Sequence, residues 1–371
     1  MNLSFQRMFY AIATVFALFA ILVLAKPILI PLSIALLFSF ILFPLAKKFE
    51  SWKIGKAFAA FLSIFVVILI MAGAIYFLST QIINLSKEFT NFQDKIITAF
   101  ADVTVYINNN VSFVENLERN ELFNRMKEWL TSSTGFLLSK TVNSTATFMA
   151  GLLATIVFTF LFLIYRDGLT QAFLAFSPEE KRPQVFRMFK SVQQVGQKYL
   201  VGMLVLTIVI GLANSFGLMI IGIDNPFLFG FLGAALAIIP YIGTVMGAVI
   251  PVIYAFVSYD SLWMAVAVAL LFWFVQLVSD NFLTPRIVGG SLKINALTAI
   301  LSLFIGAAVW GLAGMILFLP FIAMLRVICA QFEELKPVAL IMGEQNKNED
   351  DGTGKISVWW EKIKTRFNGS R

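Results

Sequence analysis

The 371 residues contain no histidine and a single cysteine, Cys329. A lone cysteine cannot close an intrachain disulfide, and without imidazole the chain lacks the commonest metal ligand and the usual proton shuttle near neutral pH. Zinc chemistry and Ser-His catalysis therefore have nothing to build on. No phosphate-binding glycine loop, paired catalytic carboxylates or metal-ligand cluster is legible, so hydrolysis and ATP-driven work are disfavoured and no cofactor is expected. Charge is scarce as well. Charged residues make up 13% of the chain, where soluble domains carry roughly a quarter.

Apolar residues, in contrast, reach 59%, and the mean hydropathy is +0.85. These values read as an all-α polytopic membrane protein. The net charge of +7 would suit nucleic acid in a soluble chain, but short basic loops beside membrane spans produce the same excess. No nucleic-acid partner is expected.

A helix rises 1.5 Å per residue, so about 20 apolar residues cross a hydrocarbon core of about 30 Å. Six uninterrupted runs meet that measure: Phe9 to Ala25, Ile28 to Ala46, Ala57 to Ile82, Thr147 to Tyr165, Tyr199 to Ile223 and Leu262 to Ser279. Arg7 and the Val23-Leu24-Ala25 end also give the first run the look of a signal peptide. Pro27 opens a second span at once, which favours a retained helix. Lys47, Lys48, Lys53 and Lys56 crowd one short loop, and Arg166, Lys181, Arg182, Arg187, Lys190 and Lys198 lie in another. Both loops are expected in the cytoplasm, with the N-terminus on the same side.

The chain then divides into residues 1–81 with three spans, an extracytoplasmic helical insertion at 82–145, the fourth span and a cytoplasmic loop at 146–198, a core at 199–335, and a cytoplasmic tail at 336–371. In the insertion, Ile82, Leu85, Phe89, Phe92, Ile96 and Phe100 form one apolar stripe. It packs either on the rest of that segment or on a neighbouring subunit. In the tail, Glu344 to Gly354 is polar and acidic and reads as disordered. The basic piece "ISVWWEKIKTRF" that follows either rests on anionic membrane lipid or continues the disorder.

Two further apolar runs are interrupted. As one helix, Phe227 to Phe256 would span about 45 Å, well beyond the hydrocarbon core. Pro240 and Gly243 supply a break, since proline lacks a donor and glycine tolerates a tight turn. Downstream, Ala296 to Ile328 is interrupted by "WGLAG", Trp310 to Gly314. One reading makes these runs two re-entrant helical hairpins, near 226–258 and 296–328, entering from opposite faces around the span Leu262 to Ser279. It keeps Arg286, Lys293 and Arg326 in the cytoplasm, as the charge rule prefers. The other makes all three runs simple crossings and leaves Arg286 and Lys293 outside. Irregular backbone at membrane depth must be buried or meet a watery cavity, and paired broken helices point to a transport site.

The segment from Gln193 to Arg326 resembles the autoinducer-2 exporter family, in "VGQKYLVG", "GLMIIGIDNPFLFGFLGAALAIIPYIG", "DNFLTPRIVGGSLKINALTAI" and "GLAGMILFLPFIAML". "IYRDG" and "ILIPLSIALLFSFILFPL" extend the likeness from about Phe9 to Leu335. The resemblance implies an inner-membrane homopentamer, two hairpins shaping a solute site, and elevator-like movement of that site. Where the family often carries a His-Pro pair, this chain has Asn295-Ala296. Members differ in function, some resembling signal exporters and others cation/proton exchangers.

Candidate solute-binding residues follow from the two breaks and the span between them. Around Pro240, Tyr241, Gly243 and Thr244, freed backbone groups can bond a ligand, with the Tyr241 ring as a cover. At the second break, Trp310 is either a cover or a packing residue, beside Gly311 and Gly314. Gln276, Asp280 and Asn281 end the intervening span. There Asp280 binds a proton, a cation or solute hydroxyls, or else pairs with Arg286, while the two amides suit an uncharged polar solute. Asn295 and Asn214 either join them or tie helices together. The expected activity is secondary transport of a small polar solute, with cation/proton antiport or a non-transporting envelope scaffold as alternatives.

Overall fold

The computed structural model describes residues 5–82, 119–239, 242–259, 261–288 and 292–343, and these are helical almost throughout. Helix α1 covers Phe5–Leu24, α2 Lys26–Ser51, α3 Lys56–Ile82, α4 Arg119–Ala175 and α5 Arg182–Ile221. Four core helices follow: α6 Pro226–Leu236, α7 Ile242–Tyr259, α8 Leu262–Val278 and the short α9 Thr284–Ile287. The chain continues with α10 Ala296–Trp310, α11 Leu312–Cys329 and α12 Lys336–Met342. Among the described residues there is no strand, only an isolated antiparallel bridge between Ile294 and Gly343.

Among the described residues, six stretches are long and apolar enough to cross a membrane: Lys26–Ser51, Lys56–Ile82, Thr147–Ala175, Glu179–Ile221, Leu262–Ile287 and Leu312–Cys329. Five overlap runs expected from sequence. The sixth is α11, expected as one arm of an interrupted pair. The described apolar part of α1, Ile12–Leu24, is shorter. Helix α4, at 57 residues, runs through the expected boundary at 145–146, so residues 119–145 belong to the same helix as the apolar span Thr147–Ala175. The apolar stripe from Leu85 to Phe100 and the tail from Glu344 lie outside the described residues.

Packing is carried by four apolar clusters. Leu42, Ala46, Ala60, Ile64 and Leu163 join α2, α3 and α4. Leu218, Phe229, Tyr254, Val268 and Phe272 join α5 through α8. A third cluster holds Leu206 and Ile210 of α5, Ala234 near the end of α6, and Val288, with Leu283, Ile287 and Leu319 against it. Leu37, Leu317 and Met324 attach α2 to α11, with Trp310 packed beside them. Hydroxyls buried in these seams turn back on their own helices. Ser63 donates to Ala59 O at 2.7 Å, Thr159 to Thr155 O at 2.7 Å and Ser302 to Thr298 O at 2.6 Å, which meets the need for internal partners where water is absent.

Candidate functional site

In chain order, two pairs of helices precede and follow α8, and glycine decides the geometry of each. In the first pair α6 and α7 cross at Gly233 and Gly247, where a Cβ added to Gly247 would lie 2.8 Å from the Gly233 carbonyl oxygen. At the turn, Gly243 N–H donates to Ile239 O at 3.0 Å, and a Cβ there would run into the Leu236 carbonyl. Only glycine lets the chain double back so tightly. Pro240 and Tyr241 lie outside the described residues, while Thr244 is half-buried on the first turn of α7. At the base of the pair, the Tyr259 hydroxyl accepts from Asp224 N–H at 2.8 Å and lies 2.8 Å from Asp224 Oδ2.

The second pair, α10 and α11, crosses at Gly306 and Gly314. A Cβ on Gly306 would fall 2.6 Å from the Gly314 carbonyl carbon, so Gly314 is buried against the opposite arm. The turn is Gly311, at φ 60° and ψ −137°, a region that other residues avoid. The arms are unequal. By residue count α6 is about 16 Å long, α10 about 22 Å, and α7 and α11 about 27 Å each.

Between the pairs, α8 passes into a π-helical turn at Ser279–Leu283 and then into α9. Pro285 explains the widening: it offers no N–H to the Asn281 carbonyl four residues earlier, and its ring clashes with that carbonyl in regular α-geometry. The turn contains Asp280 and Asn281, both exposed. Gln276 donates through Nε2 to Asp280 Oδ1 at 2.8 Å, and Asn281 donates through Nδ2 to Leu277 O at 2.8 Å. Asp280 therefore takes Gln276 as its partner; among the described residues no ion pair joins it to Arg286.

The structure brings the π-turn, the end of α6 and α11 into one cluster, but it gives two other expected residues different work. Asn295 caps α10, with Oδ1 accepting from Thr298 N–H at 2.8 Å, and its Nδ2 donates to Ile341 O at 2.7 Å and Gly343 O at 3.1 Å. Its own N–H donates to Met342 O at 3.0 Å, so it ties α10 to the end of α12. Trp310 donates through Nε1 to Leu22 O at 2.9 Å, in the last turn of α1 where carbonyls lack intrahelical donors. Its ring meets Phe318 edge-on at 5.4 Å.

At the other end of the bundle, Arg166 reaches Glu50 at 2.5 Å and lies 5.2 Å from the Phe43 ring centre, and Lys56 pairs with Asp167. Arg166 also lies 3.8 Å from Asp167, a long contact. Glu50 and the π-turn both escaped sequence reasoning. The Asn281-x-x-x-Pro285 spacing was the available signal for the second.

Six apolar spans among described residues that are helical almost throughout define a multi-pass membrane protein. Residues 10–334 match the family model for the AI-2E family transporter, and the chain belongs to that family. It is accordingly a transporter and not an enzyme. It is similar to the AI-2 transport protein TqsA of Escherichia coli (strain K12), at 26% identity over 87% of this chain and 91% of TqsA. It is also similar to YrrI of Bacillus subtilis (strain 168), at 23% over 84% and 88% of the two chains. For YueF of the same organism the identity is 26%, over 82% and 84%.

Proposed function

We propose that the chain is a secondary transporter exporting a small polar solute, with autoinducer-2 first among them because TqsA carries AI-2 transport in its name. The two helix pairs are read as re-entrant hairpins whose turns meet at the solute site, moving together in an elevator-like step. The observation that supports this reading is the pair of glycine-dependent turns, at Gly243 and Gly311, which in chain order precede and follow a π-turn whose Asp280 is bonded to Gln276 of α8. Regular helices bond their backbone internally; turns and π-turns leave groups free for a ligand, and in a bilayer these persist only in a protected or watery place. Gly243, Thr244, Gln276, Asp280 and Asn281 form the proposed site, with Pro240 and Tyr241 at its turn. Asn295 and Trp310 are left out because the chain itself uses their polar atoms. The setting is a bacterial inner membrane, with both termini cytoplasmic, lipid around the bundle and a homopentameric assembly.

The test is efflux of autoinducer-2 from proteoliposomes, comparing native protein with Gly243→Trp after assembly has been shown equal. Native vesicles should release the molecule faster than empty ones, and the variant should not. Equal release from all three, with or without proton and sodium gradients, would remove this solute. A proton- or sodium-driven cation flux abolished by Asp280→Asn would instead favour antiport, the reading to which an exposed carboxylate in the π-turn lends itself.

A further inference from the structure

Among the described residues, Asn214 and Arg326 each depart from the rule that buried polar groups find partners, and Asn214 does so inside a helix seam. Its neighbour Ser215 obeys the rule, donating to Gly211 O at 2.7 Å. Asn214 is 3% exposed, and its Oδ1 has no hydrogen-bond partner. The side chain's direction follows from helix geometry. Three residues before it, Gly211 faces Phe231 of α6; three residues after it, Gly217 faces Leu271 of α8. At about 100° per residue, Asn214 points midway between those two directions, into the groove where α6 and α8 meet α5.

That groove is lined by small residues. A Cβ on Gly211 would lie 2.7 Å from the Phe231 ring, one on Gly230 would meet Ser215, and one on Gly233 would lie 2.7 Å from Phe272. Small residues bring the backbones together here, with Leu218 against Phe229 and Ile210 against Ala234 on either side. Leu218, Phe229, Val268 and Phe272 make the adjoining core apolar, with no counter-charge for an ion. A carboxamide in such a place can accept from and donate to one hydroxyl group, and it is a poor anchor for a charged ligand. Unpaired, it destabilises the closed seam.

We propose that Asn214 is a solute-recognition residue: its carboxamide binds a hydroxyl of a neutral, hydroxylated small molecule as α6 parts from α5. This rests on the transport reading above and adds the residue that selects for hydroxyl groups. The experiment measures autoinducer-2 efflux from proteoliposomes at increasing internal concentration for native protein, Asn214→Leu and Asn214→Ala, alongside denaturant unfolding of each in micelles. Leucine approximates the volume and removes the unpaired amide, so Asn214→Leu should unfold no earlier than native protein while its apparent KM rises at least tenfold. Alanine should raise KM equally, and it is read alone if the leucine variant fails to assemble. Native efflux with unchanged KM in the assembled variants would overturn the assignment and leave the transport reading standing. Native vesicles no faster than empty ones would overturn the transport of this solute, and the assignment with it.

Discussion

Replacing Gly314 with alanine should pry apart α10 and α11. The added Cβ would overlap the Gly306 carbonyl oxygen, lie 2.5 Å from its carbon and 3.0 Å from Gly306 Cα. Carbon contacts in a packed interior settle near 3.5–4.0 Å, so the arms must separate by about 1 Å, and a gap of that size forfeits a quarter to a half of each affected dispersion well. Overpacking of this kind costs about 1–3 kcal/mol, or roughly a five- to hundredfold change in the unfolding constant. Gly306→Ala meets the same opposing backbone from the other side and should cost a similar amount. The two should not add, because a separation that admits one methyl admits much of the other; the double variant should fall short of the sum by about 0.5–3 kcal/mol. Gly168→Ala supplies the opposite sign, since nothing lies within 4 Å of a Cβ there, and exchanging a helical glycine for alanine stabilises by about 0.8–1.0 kcal/mol. Reversible denaturant titration in micelles, followed by tryptophan fluorescence, measures all four. Native-like stability of Gly314→Ala, or strictly additive losses in the pair, would refute the contact.

Removing the charge and one of the two acceptor oxygens facing Arg166 with Glu50→Gln should destabilise by about 1.5–3 kcal/mol, the range for hydrogen bonds to charged groups, because both side chains of that pair are less than a fifth exposed. Lys56→Gln, in a pair more than half exposed, should change stability by no more than about 1 kcal/mol; the same titration separates them, and equal effects would contradict the ranking. Asn295→Asp retains the cap acceptor for Thr298 but loses the donors to Ile341 and Gly343, so limited proteolysis should cut near α12 sooner while α10 keeps its hydrogen-exchange protection. Asn295→Ala should expose both, and an aspartate variant cut at the native rate would show that the amide does not hold α12.

Spans were legible where apolar runs were long and unbroken, because length against membrane thickness is a one-dimensional criterion. Breaks were harder. Pro31, Pro44, Pro251 and Pro320 all sit inside helices that continue, so proline alone does not end a span here. The turn after α6 depends on Gly243 passing beneath the Leu236 carbonyl, a tertiary contact that pattern does not display. Gln276 and Asp280 were legible as a pair because four residues is one helical turn. The cap that Asn295 gives to Thr298 has a local signal, an asparagine opening an apolar run, but its ties to α12 and the bond of Trp310 were not legible, since those partners lie 46 to 288 residues away. The Glu50 partner of Arg166, 116 residues distant, was hidden in the same way.

The indole bond from Trp310 to Leu22 makes α1 a leash on the second helix pair. A shift of that pair relative to α2 must either snap one hydrogen bond or drag α1 with it, and the slack for dragging lies at the joint between Leu24 and Lys26. That joint is a single turn residue followed by Pro27, and the Ala25 cap makes no side-chain hydrogen bond. Were that pair to move, its reach would be limited by how far one short joint can bend before the indole lets go, and by its packing on Leu37 of α2.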